Sequence, residues 1–238
     1  MTTAQSRYFF KPFIGSSHHW ALRELDATPR NSSILDIGAG SGTIGQALRS
    51  KGFSKLTAVE IDPEARKHIA PIYNVTFDDL YQLNDQLFDL VIMLDVLEHL
   101  ADPFAFYAKA LSLLKPNGKA LISVPNIAHW SIRLALLVGW FEYQDRGILD
   151  RTHLQFFTKK RFLQLLLSQS AVQLEKTTLS LPPYELVLPE IIWNNSIYSA
   201  LSRCRLTLAG YFPGLFAYQH LAVIKIITNS ATNNNVRN

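Results

Sequence analysis

Between Ser32 and Val124 the chain alternates short β-branched or apolar runs, SSILDI, KLTAVEI, FDLVIML and KALISV, with stretches whose apolar residues recur at helical spacing. That rhythm predicts βαβ units and hence a parallel sheet with helices on both faces. Ahead of it, Ser17 to Ala27 predicts a short helix covering the sheet. Behind it, Lys159 to Ser168 is periodic like a helix, and VQLEKTTLSL and AYQHLAVIKI predict two final strands. The segment between those strands, Pro182 to Pro213, is too long for a hairpin loop and carries its own helical pattern from Ile191 to Leu208. It reads as an insertion, a place where specificity is often carried. One domain is therefore expected over residues 1–228, with a core at 31–126, a lid or acceptor segment at 127–158 and the helical insertion at 182–213. The asparagine-rich tail, 229–238, is expected to be disordered.

Composition narrows the class. With 48% hydrophobic and 18% charged residues over 238 positions, the chain can bury a sizeable core, which excludes disorder and fibre. Its longest apolar stretch, Leu134 to Phe141, is far below the roughly 20 residues that span a bilayer. The opening MTTAQSRYFFKPF has no basic segment leading into an apolar one, so a cytoplasmic protein is expected. The lone Cys204 permits no disulfide framework and no cysteine-based zinc cluster. Basic and acidic residues number nine and twelve up to Leu100, but fourteen and seven after it. The basic second half suits an anionic substrate or surface, yet its charges are scattered and lack interleaved aromatics, so no nucleic-acid partner is expected.

The candidate chemistry begins at SSILDIGAGSGTIGQAL, where an apolar strand runs into Gly38, Gly40, Gly42 and Gly45 and then into a helix. Glycines there permit positive φ and a close ligand approach, while free N–H groups at the helix start favour anions or carboxylates. Gly40-x-Gly42-x-x-Gly45 formally matches the dinucleotide fingerprint, and Glu60 ends the next strand at the distance where an acid binds ribose hydroxyls. Asp36 separates two readings, because a carboxylate two residues before Gly38 opposes a pyrophosphate and suits a cationic ligand.

Leu35-Asp36-Ile37-Gly38-Ala39-Gly40-Ser41-Gly42 resembles the first motif of the class I S-adenosylmethionine-dependent methyltransferases. Four further stretches follow in that family's order. Ala58-Val59-Glu60-Ile61-Asp62 is similar to its second-strand end, where the acid binds both ribose hydroxyls and the next apolar residue packs on adenine. Asp79-Leu80 resembles the acidic step facing the adenine amino group, with adjacent Asp78 leaving the register open. Phe88 to Ile92, followed by Asp95-Val96-Leu97-Glu98-His99-Leu100, resembles the fourth strand and the loop lining the methionine end of the cofactor. Leu114 to Lys119 resembles the turn into the fifth strand. The resemblance implies a Rossmann-like, seven-stranded, mostly parallel α/β sheet with an antiparallel last strand. It implies S-adenosylmethionine as cofactor, and Asp36, Gly38, Ala39, Gly40, Gly42, Glu60, Ile61, Asp79, Leu80 and Asp95 as the residues that hold it. Ser123 to Trp130 and Gly147 to Thr158 resemble a narrower branch found among bacterial polysaccharide and sugar-modifying methyltransferases, which implies O-methylation of a sugar or glycan hydroxyl, the acceptor free or lipid-linked. Two alternatives stand beside it: a methyltransferase for a quinone precursor or other small metabolite, and a non-catalytic cofactor-binding accessory protein.

Transfer from a sulfonium to an oxygen needs orientation, water exclusion and a proton acceptor. His99 lies just past the fourth strand's carboxyl end, where open α/β sheets place ligands; the bland alternative pairs it with Glu98 or makes it a helix cap. His153 stands beside Asp150, Arg151 and Thr152, giving acid, cation and hydroxyl within four residues. His99, His153 and Asp150 are thus the catalytic candidates. His18, His19, His129 and His220 lack such neighbours and read as surface or core residues. No metal is expected, because Glu98-His99 has no clear third ligand in sequence and no His-x-x-x-His spacing occurs. Trp130, Trp140, Phe141 and Tyr143 read as core or lid packing. In the insertion, Ile191, Ile192, Ile197, Tyr198, Leu201 and Leu208 give an apolar surface, with Arg203 and Arg205 adding charge. That helix either packs on the domain or rests weakly on an anionic membrane leaflet, placing the protein at the periphery of the inner membrane.

Overall fold

The computed structural model describes residues 10–84 and 86–227. The disordered tail expected at 229–238 lies outside the described residues.

The strands are β1 (Ser33–Ile37), β2 (Lys55–Val59), β3 (Val75–Phe77), β4 (Phe88–Leu94), β5 (Leu114–Pro125), β6 (Val172–Ser180) and β7 (Gln219–Ile226). They form one sheet in the order β3-β2-β1-β4-β5-β7-β6. Pairing is parallel from β3 through β5, while β7 runs antiparallel to both β5 and β6, so it alone is reversed. This is the Rossmann-like sheet the sequence implies. The chain order reverses between β1 and β4, and the crevice outside the carboxyl ends of strands at such a switch point is where open α/β sheets bind ligands.

Successive residues of a strand face opposite sides, and β4 shows how that divides the core. Val91 and Met93 join the cluster packed by Tyr107 and Ala110 of α4 (Pro103–Ser112) and by Phe162 and Leu165 of α6 (Lys159–Leu166). Leu90 and Ile92 join the opposite cluster with Ala21 of α1 (Ser17–Glu24), Ile44 and Leu48 of α2 (Thr43–Ser50) and Ile69 of α3 (Pro63–Ile69). Four of these helices start on a side-chain cap that satisfies free backbone donors: Ser16 for α1, Asp62 for α3, Asp102 for α4 and Thr158 for α6.

Beyond β5 the chain forms α5 (Trp130–Leu137), which buries none of its residues, and then an irregular stretch to α6. Between β6 and β7 come α7 (Glu190–Trp193), α8 (Ser196–Tyr211) and α9 (Pro213–Phe216). The helix expected over Ile191 to Leu208 is broken at Asn194 and Asn195, because the Asn195 side chain accepts from the Tyr198 amide and starts α8 afresh. Through Ala209 and Leu206, α8 packs on Leu179 and Leu181, leaving Ile197, Leu201, Leu208 and Tyr211 exposed. The Arg205 guanidinium lies 5.0 Å from the Tyr184 ring centroid. No described helix is long and apolar enough to cross a membrane.

Asn126, fully buried at the end of β5, fastens this returning segment to the sheet. Its amide nitrogen donates to Ala217 O at 2.9 Å and Gly214 O at 3.3 Å, and its Oδ1 accepts from the Ala128 amide at 3.0 Å. Replacing it leaves buried backbone groups unpaired, so Asn126→Ala should destabilise the fold by about 2–3 kcal/mol and lower Tm by roughly 5–10 °C. Thermal and urea unfolding would measure this, and a loss under about 0.5 kcal/mol would mean the clasp is not formed.

Candidate functional site

A cavity of about 750 Å³ opens at the carboxyl ends of β1, β2 and β4. Its floor is the turn after β1. Gly38, Gly40 and Gly42 have φ of +72°, +55° and +75°, a left-handed run that residues with a Cβ adopt only with strain. At Gly38 a Cβ would also stand 2.7 Å from Val96 Cγ2, so the close approach of this turn to the β4 loop requires glycine. The Gly38 amide donates to Val59 O at 2.8 Å, which locks the turn against β2.

Two carboxylates flank the turn. Glu60 is buried, and its two oxygens accept from the Gly40 amide at 2.7 Å and the Asp62 amide at 2.9 Å, holding the side chain against the glycine loop. A carboxylate has lone pairs left after two such bonds, so Glu60 can still accept from a ligand's hydroxyls. Beside it Ile61 is 83% exposed, an apolar side chain placed where a flat ligand can cover it. Asp36 is buried beneath the turn and accepts the Tyr73 hydroxyl hydrogen. Burial raises its pKa to about 7, against the opposing bond from Tyr73 and with the neighbouring Glu60 adding to the rise.

The opposite wall carries Asp95, Glu98, His99, Asp150 and His153. Asp95 sits at φ 57° just past β4. Its carboxylate accepts from Ser123 Oγ at 2.6 Å and from Gln219 Nε2 at 2.6 Å to each oxygen, and Gln219 Oε1 accepts from Ser180 Oγ at 2.7 Å. A zipper of backbone bonds brings the segment around residue 153 to the β4 loop: the amides of Leu154 and Gln155 donate to Glu98 O at 2.8 and 2.9 Å, and Gln155 Nε2 donates to Ala101 O at 3.0 Å. His99 and His153 rings meet edge to face, with centroids 4.9 Å apart. His153 Nδ1 lies 3.1 Å from Ile148 O, and His99 Nδ1 lies 3.2 Å from Thr152 O. Glu98 is almost completely buried, and its carboxyl finds no partner among the described residues beyond its own backbone amide. Burial, then the charge of Asp95, pushes its pKa well above the usual carboxylate range, while burial, then His99, pushes His153 down.

Of the residues singled out from sequence, Asp36, Gly38, Ala39, Gly40, Glu60, Ile61, Asp95, His99, Asp150 and His153 all line the one cavity. Gly42 shapes the turn from behind. Asp79 and Leu80 are elsewhere: Asp79 caps a 3-10 turn by accepting from the Tyr81 amide, and Leu80 is buried in the core under that turn. Asp150 accepts the Thr152 amide at 2.9 Å and its hydroxyl at 2.7 Å, so it orients the segment that holds His99, while Arg151 pairs with Asp145 on the surface. His18, read as surface or core, lies on the cavity wall because α1 begins at the sheet's carboxyl edge, and burial lowers its pKa to about 4. Trp140 stands on the wall half-exposed rather than in the core. Sequence reasoning missed Glu98 as more than a neighbour of His99, and missed Tyr218 and Gln219, whose positions depend on the reversed β7.

A family profile described as a methyltransferase domain matches residues 14–170, which contain the glycine turn, Glu60, Ile61 and the histidine pair. The chain belongs to this methyltransferase family. It is 32% identical over 158 residues to a protein named ubiquinone biosynthesis O-methyltransferase from Xanthomonas axonopodis pv. citri, covering 62% of this chain. The match covers 65% of that relative, so the chain spans just under two thirds of its length. The fold of this methyltransferase is that of a SAM-dependent methyltransferase from Archaeoglobus fulgidus, with TM-score 0.58 at 21% identity over 91% of this chain and 96% of the other. It is likewise similar to the plantazolicin methyltransferase BpumL in complex with SAH, with TM-score 0.56 at 17% identity over 95% and 86% of the two chains. Membership of the class I S-adenosylmethionine-dependent methyltransferases, as the sequence motifs imply, is thereby shown. The donor set fits that cofactor: Glu60, with acceptor capacity left for hydroxyls, beside the exposed aliphatic Ile61, and a second acid, Asp36, that has no cationic partner among the described residues, for a cationic group.

The raised pKa of Asp36 has a consequence for stability. The fold favours its neutral form, so this contribution is full below the ordinary carboxyl pKa near 3.8 and is lost as pH rises through about 7. Each unit in that window withdraws about 1.4 kcal/mol. Asp36→Asn keeps the acceptor for Tyr73 without the charge, and should therefore gain on the wild-type chain by a few kcal/mol between pH 5 and pH 8. Urea unfolding across that range tests it, and parallel pH profiles for the two proteins would contradict it.

Proposed function

We propose that this chain transfers a methyl group from S-adenosylmethionine to a hydroxyl of a small molecule, and that the acceptor is phenolic, of the quinone-precursor kind, rather than a sugar. The observation that carries the reading is one cavity with a cofactor end, at Glu60, Ile61 and Asp36, and a histidine end, at His99 and His153. Trp140, Leu149 and Tyr218 are among the lining residues of the cavity, alongside charged ones such as Glu142 and Arg146, and such apolar and aromatic surface suits an aromatic ring. The name of the Xanthomonas relative supports the same choice, so the small-metabolite alternative is better supported than the sugar or glycan acceptor expected from the sequence.

When bound, S-adenosylmethionine supplies an electrophilic methyl on a cationic sulfur. The residues of the chain do the rest. Glu60 accepts the ribose hydroxyls, Ile61 covers the adenine, and Asp36 and Asp95 face the cationic end. The segments 127–158 and 182–213 wall off water around the acceptor. His99 and His153, each with Nδ1 held by a backbone carbonyl, receive the acceptor hydroxyl and take its proton. Asp150 is a positioning residue, acting on His99 through Thr152.

Labelled cofactor incubated with a panel of phenols, sugar nucleotides and lipid-linked sugars should deliver label to a phenol. Delivery to a sugar alone would overturn the acceptor class, and tight cofactor binding without any turnover would favour an accessory role. Glu60→Ala removes an acceptor worth roughly 1.5–3 kcal/mol per bond, so it should weaken cofactor binding about tenfold or more. His99→Ala or His153→Ala should lower kcat about 10²-fold while cofactor affinity stays within about twofold. Calorimetry and initial rates separate the two effects; wild-type rates in both histidine variants would remove them from the mechanism.

A further inference from the structure

The histidine end of the cavity holds a local imbalance of donors and acceptors. Glu98 is 1% exposed, and the nearest nitrogen of His153, Nε2, stands 4.0 Å from its Oε1, too far for a hydrogen bond. A carbonyl only accepts, so the 3.1 Å contact of His153 Nδ1 with Ile148 O places the ring proton on Nδ1 and leaves Nε2 as a lone pair toward Glu98. His99 follows the same logic. Its Nδ1 faces Thr152 O at 3.2 Å, and the Thr152 hydroxyl gives its own hydrogen to Asp150 at 2.7 Å, so Nε2 is again the unprotonated nitrogen. One ligand atom from each of Glu98, His99 and His153 lies within 4.8 Å of the others. Three acceptors converge, with no donor among the described residues to satisfy both carboxylate oxygens.

We infer that Glu98, His99 and His153 bind one divalent first-row transition-metal ion. Two imidazoles and one carboxylate form a nitrogen-rich set that suits zinc, iron or cobalt better than magnesium or calcium. Each imidazole already has its second nitrogen fixed by a backbone carbonyl, the outer-shell arrangement that sets the tautomer and orientation of a metal-ligating histidine. Small side-chain rotations bring atoms at the observed separations to the about 2.0–2.2 Å of such bonds. The third ligand that the sequence lacked is His153, delivered from 54 positions beyond His99 by the Leu154 and Gln155 amides. Three protein ligands leave coordination positions open, and all three residues line the cavity, so the open positions face the acceptor space. This last role, holding the acceptor oxygen, rests on the proposed methyl transfer, and with the ion bound it takes the place of proton uptake by the two imidazoles, whose Nε2 lone pairs the ion occupies; the ion site itself does not rest on the transfer.

The test uses untagged chain dialysed against EDTA and titrated with Co²⁺, followed by visible d–d absorption. One equivalent should bind. Glu98→Gln and His153→Ala should each weaken that binding by more than the about 10–100-fold that loss of an outer-shell partner costs, while His68→Ala, exposed on α3, changes nothing. Near-isosteric Glu98→Gln keeps the test valid if His153→Ala fails to fold. Absorption that never saturates at one equivalent, or that survives in Glu98→Gln, overturns the site. Methyl transfer measured in parallel separates the two readings: transfer that survives EDTA with no cobalt bound overturns the ion site alone, whereas stoichiometric cobalt with no transfer to any acceptor supports the ion site and overturns the transfer.

Discussion

A chain of side-chain hydrogen bonds along the sheet's carboxyl edge holds the site together. Asp95 at the end of β4 accepts from Ser123 on β5 and Gln219 on β7, and Gln219 accepts in turn from Ser180 on β6. Four strands are tied in this way: Ser123, Ser180 and Gln219 are buried and Asp95 is half-buried on the cavity wall, and bonds to a carboxylate contribute roughly 1.5–3 kcal/mol each. That stabilisation holds Asp95 at a positive φ that a non-glycine residue adopts at a cost of order 1–3 kcal/mol. The strained turn is what aims the following residues, Val96 to His99, across the crevice toward the glycine loop.

The reversed β7 thus does two things at once. It closes the hydrophobic sheet between β5 and β6, and it supplies Gln219 to the polar edge and Tyr218 to the cavity wall. Asn126 performs the matching task one strand over, binding the carbonyls of the segment that leads into β7. The glycine-turn half of the crevice depends on backbone geometry and on Glu60 pinned by two amides; the histidine half depends on long-range side-chain contacts. A substitution in the first half acts through local conformation, and one in the second through the joining of distant segments.

That division also explains what could be read from the sequence. The strands β1, β2 and β4, the glycine turn and Glu60 were legible because each rests on local periodicity or on residues within one βαβ unit. The three-residue β3 was not, since its side chains are exposed or half-buried and show no apolar run. The bounds of β5 were obscured by Pro116 and by Asn117 at φ 63°, which interrupt the apolar pattern at a register shift against β4. Asp79 and Leu80 have the right sequence neighbours yet serve as a cap and a core residue. In sequence Glu98 reads only as a possible pairing partner of His99; its burial follows from a segment more than fifty residues away, as does its approach to His153. Gln219, Ser123 and Ser180 carry no pattern that marks a polar chain across four strands.

On the proposed function, Asp36, the glycine turn and Glu60 form a site for a cationic nucleoside sulfonium and not for a dinucleotide. Titration calorimetry of the unmodified chain with S-adenosylmethionine, S-adenosylhomocysteine and NAD tests it most directly. One molecule of either sulfur compound should bind per chain, with no heat from NAD. Binding of NAD, with no response to S-adenosylmethionine, would contradict it.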